Sequence, residues 1–146
     1  MPEGWGQGIA LHRSFNTIVA EVVDVDMSSG KPRVDKVFCA ADPGYAMSKD
    51  GFIAQMESGI IYGLTAAMYG EINIENGAVV ESNFHNYKML RMNESPDIEV
   101  EIINSGTDTL GGGGEPGTPP IAPALTNAIF AINGKRIRQL PVSKHV

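Results

Sequence analysis

Between Thr17 and Val25 the apolar residues Val19, Val23 and Val25 alternate with polar positions that include Asp24 and then Asp26. Met27-Ser28-Ser29-Gly30 supplies turn residues, and residues 34–40 are again β-prone, so the pattern predicts a hairpin. A second hairpin is predicted where Ile72 and Ile74 lead into Glu75-Asn76-Gly77 and Val79 and Val80 lead out, because Asn-Gly suits the positive φ angles of a type I′ turn. Between the two, Phe52, Ile53, Met56, Ile60, Ile61, Leu64 and Met68 recur at i, i+3/i+4, which predicts a helix over about residues 50–69 with Asp50 as its capping candidate. Gly59 and Gly63 share a face of that helix with Gln55. Each costs about 1 kcal/mol against alanine, so they imply a close backbone approach, to a strand or to a ligand. Further on, Ile98, Val100 and Ile102 alternate with Asp97, Glu99 and Glu101, the mark of a strand with one wet face. A helix over about residues 120–133, apolar on nearly every side, is expected to be buried and to end at Gly134; Ile137-Arg138-Gln139-Leu140 reads as a last short strand stopped by Pro141. The expected class is α+β, β-hairpins and a mixed sheet packed with two main helices (about 50–69 and 120–133), in one domain spanning 1–146.

Composition narrows the chemistry. With 146 residues and 42% hydrophobic content, the chain is long and apolar enough to bury a core and too apolar for disorder. The single cysteine, Cys39, cannot close an intrachain disulfide or ligate an iron–sulfur cluster or a closed zinc site, so any such centre belongs to a partner. Cys39 itself reads as a small buried hydrophobe. The net charge of -6 argues against nucleic acid, and it hides an asymmetry: residues 1–115 carry all 17 acids, while residues 116–146 carry only Lys135, Arg136, Arg138 and Lys144. That tail reads as a solvated end near a helix C-terminus, with an anionic partner as the weaker alternative. The longest apolar-looking stretch, residues 59–70, is interrupted by glycines and flanked by Glu57 and Glu71, short of the roughly 20 residues a membrane span needs. No secretory signal pattern opens the chain, which leaves the compartment open between cytoplasm and periplasm.

The unusual segment is residues 111–120, Gly-Gly-Gly-Gly-Glu-Pro-Gly-Thr-Pro-Pro. Bare backbone leading toward a helix N-terminus favours an anion. Gly112, Gly114 and Gly117 match G-x-G-x-x-G, but the dinucleotide fingerprint needs an acid about 20 residues later and none follows Glu115. A P-loop fails as well, since Thr118 stands where its lysine should. What remains is Glu115, a carboxylate among glycines and prolines. It is a candidate general base, against the bland reading of a solvent-facing loop glutamate.

Residues 114–124, Gly-Glu-Pro-Gly-Thr-Pro-Pro-Ile-Ala-Pro-Ala, resemble the C-terminal signature of the molybdopterin-binding large subunit of molybdenum hydroxylases, in the isoquinoline 1-oxidoreductase-like branch of the xanthine dehydrogenase and aldehyde oxidase family. Further segments carry the likeness in order: Gly6-Gln7-Gly8-Ile9-Ala10, Gln55-Met56-Glu57-Ser58-Gly59-Ile60-Ile61-Tyr62-Gly63-Leu64, Ser82-Asn83-Phe84-His85-Asn86-Tyr87, Leu90-Arg91-Met92-Asn93-Glu94, and Gly134-Lys135-Arg136-Ile137-Arg138. The resemblance implies the C-terminal part of a subunit that hydroxylates an N-heterocycle or oxidises an aldehyde. Glu115 would be its base, Gln55 a hydrogen-bond partner of the pterin, and Gly113 and Gly114 the backbone facing the cofactor; no residue of this chain is implied as a metal ligand. It also implies molybdopterin with molybdenum, in the cytosine dinucleotide form and only in the assembled enzyme. The implied partners are the remainder of the large subunit, an iron–sulfur small subunit, and a small heterocycle or aldehyde. The chain departs from the family pattern at Asp42-Pro43-Gly44 and at Ser58, where a second glycine is usual.

His85 has no partner at metal-ligand spacing and is assigned no role, and Met89 and Met92 read as core as readily as substrate channel. Two functions from different classes follow: a catalytic fragment of a molybdenum hydroxylase, inactive in isolation, or a non-catalytic structural or subunit-interaction domain that keeps the fold without cofactor.

Overall fold

A computed structural model describes residues 1–106 and 110–146. Strand β1 (Trp5–Ser14) turns through Phe15 and Asn16, both in the left-handed region, into β2 (Thr17–Asp26), with Ser14 paired to Thr17. This pair of positive φ angles is the type I′ geometry whose twist matches flanking strands. β3 (Arg33–Asp42) then pairs antiparallel with β2, completing the hairpin expected from the alternation. Their register shifts between Asp24 and Val25, so Asp35 is the extra residue of a bulge. The bulge lets Val34 and Val37, three apart, both face the core.

The sequence pattern did not predict β1, and the structure shows why. Its core-facing positions are Gly6, Gly8 and Ala10, while Ile9 and Leu11 face outward, so no apolar alternation points inward. A Cβ on Gly6 would come within 2.4 Å of Ile132 Cγ1, and one on Gly8 within 2.1 Å of the Ala124 carbonyl oxygen. Helix α2 (Ile121–Asn133) occupies the space where side chains would stand.

Helix α1 (Lys49–Tyr69) follows β3. Its cap is Ser48, without a side-chain bond, rather than Asp50, which lies in the first turn and favours the dipole from there. Past α1, the small hairpin β4 (Ile74–Glu75) and β5 (Ala78–Val79) turns on Asn76 and Gly77, both at positive φ, as expected. The chain returns as β6 (Asp97–Ile102), parallel to β3. The four-stranded sheet has the order β1-β2-β3-β6 and is mixed, so the architecture is α+β as its sequence implied. Met56, Ile60 and Leu64 of α1 and Ile121, Leu125 and Ile129 of α2 close the core over one sheet face, together with Val19, Val23 and Val37.

One expectation changes at the C-terminal end. α2 ends as anticipated at Gly134 (φ 73), whose N–H donates to Phe130 O at 2.8 Å. The short strand expected over residues 137–140 is absent; the chain folds back along α2 instead. The Arg136 guanidinium stacks 3.4 Å from the centroid of the Phe130 ring and donates to Asn127 Oδ1, and Ile137 packs against the core. The outer side of a helix that is apolar nearly all round needs a cover, and this tail provides it. Lys144 pairs with Glu71 and Lys135 donates to the His145 carbonyl, so three of the four tail cations have partners within the chain.

Candidate cofactor site

The glycine segment lies extended across the end of the sheet, pinned by four hydrogen bonds. Gly111 N–H donates to Pro43 O and Gly112 N–H to Phe15 O, both at 2.8 Å. Thr17 Oγ1 donates to Gly112 O and Gln55 Nε2 to Gly114 O, both at 2.7 Å. The four glycines are not equivalent. A Cβ on Gly111 would stand 2.2 Å from Thr17 Oγ1, on Gly112 2.8 Å from Phe15 Cβ, and on Gly113 2.8 Å from Phe52 Cε2. At Gly114 it would meet nothing within 4 Å among the described residues, and φ there is not positive. Gly111 and Gly112 are therefore fixed by neighbours within the chain, a Cβ on Gly113 would have to displace the Phe52 ring, and Gly114 leaves bare backbone facing outward.

Residues 115–120 turn the chain into α2. Glu115 O accepts the Thr118 N–H at 2.9 Å, and Thr118 Oγ1 donates to Gly59 O at 3.2 Å. Gly117 lies on Met56, and a Cβ on Gly63 would come within 2.6 Å of both Thr118 O and Ile121 Cγ2. The close approach implied by Gly59 and Gly63 is thus to this turn and the start of α2, neither to a strand nor to a ligand. Pro116 and Gly117 are buried while Glu115 is exposed, so a rigidly held turn presents its one carboxylate to solvent.

Gln55 is brought from 59 residues away onto the Gly113-Gly114-Glu115 segment through its bond to Gly114 O. A cavity of about 360 Å³ opens beside Gln55 and Gly113, lined also by Tyr45, Met47, Phe52 and Gly111, with Gly114 and Glu115 following directly in the chain. Sequence reasoning gave Tyr45 and Met47 no role and Phe52 only a place in the apolar stripe of the helix, because nothing local marks a cavity wall. Met47 is 81% exposed, which no core role explains. Ser48 and Gly51 at the start of α1 also border the cavity, so the N-terminus of α1 opens onto it. Among the described residues no three His, Cys, Asp or Glu side chains converge. The walls instead offer a neutral amide, bare backbone and polarisable surface, which suit a heterocyclic ligand held by donors and acceptors.

The other residues considered fall outside this site. His85 is exposed on a loop organised by Asn86, whose Oδ1 accepts from the Ser82 and Asn83 N–H groups. Met89 is half-buried and Met92 is 96% exposed. The Leu90-Arg91-Met92-Asn93-Glu94 stretch is tied down by Glu94, which accepts from Tyr69 Oη at 2.6 Å and from the Arg91 N–H at 2.9 Å. Cys39 is 3% exposed, and burial, then the neighbouring Glu21 charge, push its thiol up to about 12. Iodoacetamide should therefore leave Cys39 unlabelled in the native protein and modify it fully after denaturation, read on its tryptic peptide.

Residues 6–96 match the family model of the molybdopterin cofactor-binding domain. The chain is 37% identical over 141 residues to the isoquinoline 1-oxidoreductase subunit beta of Brevundimonas diminuta, an alignment covering 95% of this chain and 18% of that protein. It is also 37% identical to the membrane-bound aldehyde dehydrogenase [pyrroloquinoline-quinone] of Gluconacetobacter polyoxogenes, over 88% of this chain and 16% of the relative. Among solved structures, the aldehyde oxidoreductase of Desulfovibrio desulfuricans ATCC 27774 superposes with a TM-score of 0.70 at 26% identity, covering 86% of this chain and 14% of that one. The quinoline 2-oxidoreductase of Pseudomonas putida 86 shares the fold, with a TM-score of 0.72 at 20% identity over 86% of this chain and 17% of that one. The chain spans less than a fifth of the length of these relatives.

Proposed function

Since this chain belongs to the molybdopterin cofactor-binding domain family, we propose that it is the C-terminal part of the large subunit of a molybdenum-dependent oxidoreductase that hydroxylates an N-heterocycle or oxidises an aldehyde. The observation that carries this reading is the Gln55 side chain bonded to Gly114 O at 2.7 Å directly beside an exposed Glu115. The chain offers an amide, an open backbone and a carboxylate on one surface, and Gly114 has no reason within the fold to lack a side chain. These residues fit a pterin, whose ring edge presents donors and acceptors in alternation.

When bound, the molybdenum cofactor would supply the oxygen-transfer and electron-accepting chemistry. The chain's own residues do the rest. Gln55 keeps a carbonyl oxygen of its amide free for the cofactor while its Nε2 fixes Gly114. Gly113 and Gly114 let the cofactor approach the backbone. Glu115 accepts the proton of the attacking oxygen, on a turn held rigid by the Thr118 bonds, so the carboxylate is aimed without a long flexible tether. The cofactor would be the cytosine dinucleotide form, with electrons leaving to iron–sulfur clusters in a small subunit; this chain has a single thiol, and burial keeps it from ligation. The 146 residues form one domain of that subunit, completed by its remainder, and are inactive in isolation.

Elemental and pterin analysis of the purified native protein tests the proposal. Molybdenum and a pterin carrying cytosine should be present in equal amounts, pyrroloquinoline quinone absent, and oxygen from labelled water should enter the product. A protein holding neither molybdenum nor pterin would leave a structural domain without cofactor as the correct description.

A further inference from the structure

The core face of β2 carries Thr17, Val19, Glu21, Val23 and Val25, all fully buried. Thr17 is satisfied by Gly112 O, but both carboxyl oxygens of Glu21 are buried with no hydrogen-bond partner among the described residues. The location of Glu21 follows from the strand registers. It pairs with Ala10 on β1 and Cys39 on β3. Gly6 of β1 lies beneath Ala128 and Ile132, and Gly8 beneath Ala124 and Ala128, so the contact moves four residues toward the helix start for each two residues along the strand. The next step sets Ala10, and with it Glu21, under residues 120–124, the first turn of α2. That turn is continuous with residues 115–120. The same face of β2 thus meets the glycine segment at Thr17 and the start of α2 at Glu21.

We propose that Glu21 is a positioning residue, a neutral acid wedged under the first turn of α2 that couples the seating of the 115–120 turn to proton binding. Among the described residues the surrounding groups offer no counter-charge. The buried core over this sheet face is uncharged: Met56, Ile60, Leu64 and Thr65 on α1, and Ile121, Ala124, Leu125 and Ala128 on α2. From β3 comes only the Cys39 thiol, and from β1 the methyl of Ala10. Burial accordingly pushes the Glu21 carboxyl up from 4.5 to about 8. When the turn lifts, the carboxyl meets water, its O–H bond breaks and the proton goes to solvent at the ordinary value. The sign follows from linkage: the closed form binds the extra proton between about pH 4.5 and about pH 8. Closure is therefore strongest below about 4.5, weakens about tenfold per pH unit through that window, and levels off above about 8.

Hydrogen exchange of peptides covering residues 111–122 in the native protein, corrected for intrinsic rates, reads this directly. From about pH 5.5 to about pH 7.5 the wild-type protection factor should fall about 100-fold, while Glu21→Gln, which cannot ionise, should hold its protection within about twofold. Peptides covering β4 and β5 should not change in either. A parallel fall in wild type and Glu21→Gln would overturn the proposal. So would a wild-type protein whose infrared spectrum at about pH 6 lacks the carbonyl band of a buried carboxylic acid, a measurement that does not need the variant to fold. Neither readout involves turnover, so the inference stands or falls separately from the assignment of Glu115 as base.

Discussion

Replacing Gly8 by alanine should destabilise the domain by about 3 kcal/mol or more, and valine there should prevent folding, because the new atoms meet backbone rather than a side chain that could swing away. The added Cβ would lie 2.1 Å from Ala124 O and 2.3 Å from Ala128 N, both fixed by the hydrogen-bond ladder of α2. Relief requires the helix to rise off β1, which would expose Ile121, Leu125 and Ile129 and unseat the 115–120 turn that precedes them. Gly114→Ala is the control. Its Cβ meets nothing within 4 Å, so stability should change by no more than about 0.5 kcal/mol. Soluble yield and thermal unfolding of the two variants in the native protein decide the matter; equal behaviour would show that α2 tolerates displacement from the strand.

Glu115→Gln should reduce turnover about 1,000-fold or more while leaving molybdenum, pterin content and thermal stability at wild-type levels. Glutamine keeps the size and the hydrogen-bonding reach of the side chain but cannot accept the proton. Stability is expected to be indifferent because the Glu115 side chain is exposed, and the turn is held instead by its backbone carbonyl, by Thr118 and by Gly117 against Met56. Undiminished turnover with full cofactor would remove Glu115 from the chemistry. A loss of turnover that tracked a loss of molybdenum would instead make it a binding residue.

The two helices and the two Asn-Gly- or alternation-marked hairpins were legible because their signals are local. A 3.6-residue apolar period, a residue tolerant of positive φ, and alternating Val and Asp each state a preference that tertiary structure had no reason to override. The misses have local causes too. β1 hides its core face in Gly6, Gly8 and Ala10, so the strand that most needs a helix above it has the least apolar signal. Residues 137–140 have strand-like composition, yet the outer side of α2 competes for them and wins through Arg136 on Phe130 and Ile137 in the core. The bulge at Asp35 is invisible in sequence, since it is a property of how β2 and β3 register.

For the site, the sequence by itself determined the ingredients: a run of glycines, one carboxylate among prolines, a glutamine on a glycine-bearing helix face, and their resemblance to a cofactor-binding family. It could not determine which glycines serve the fold and which face outward, because that depends on atoms distant in the chain. Thr17, Phe15 and Phe52 claim Gly111, Gly112 and Gly113, and Gly59 and Gly63 serve the 117–121 segment, leaving Gly114 alone unclaimed. The alternation does put Glu21 on the face of Val19, Val23 and Val25, but that this face is fully covered around its carboxyl is decided only by the packing of the helices and of Cys39 on the neighbouring strand. Side-chain type and spacing are carried by the covalent chain; burial and close approach exist only once residues a hundred positions apart share a surface.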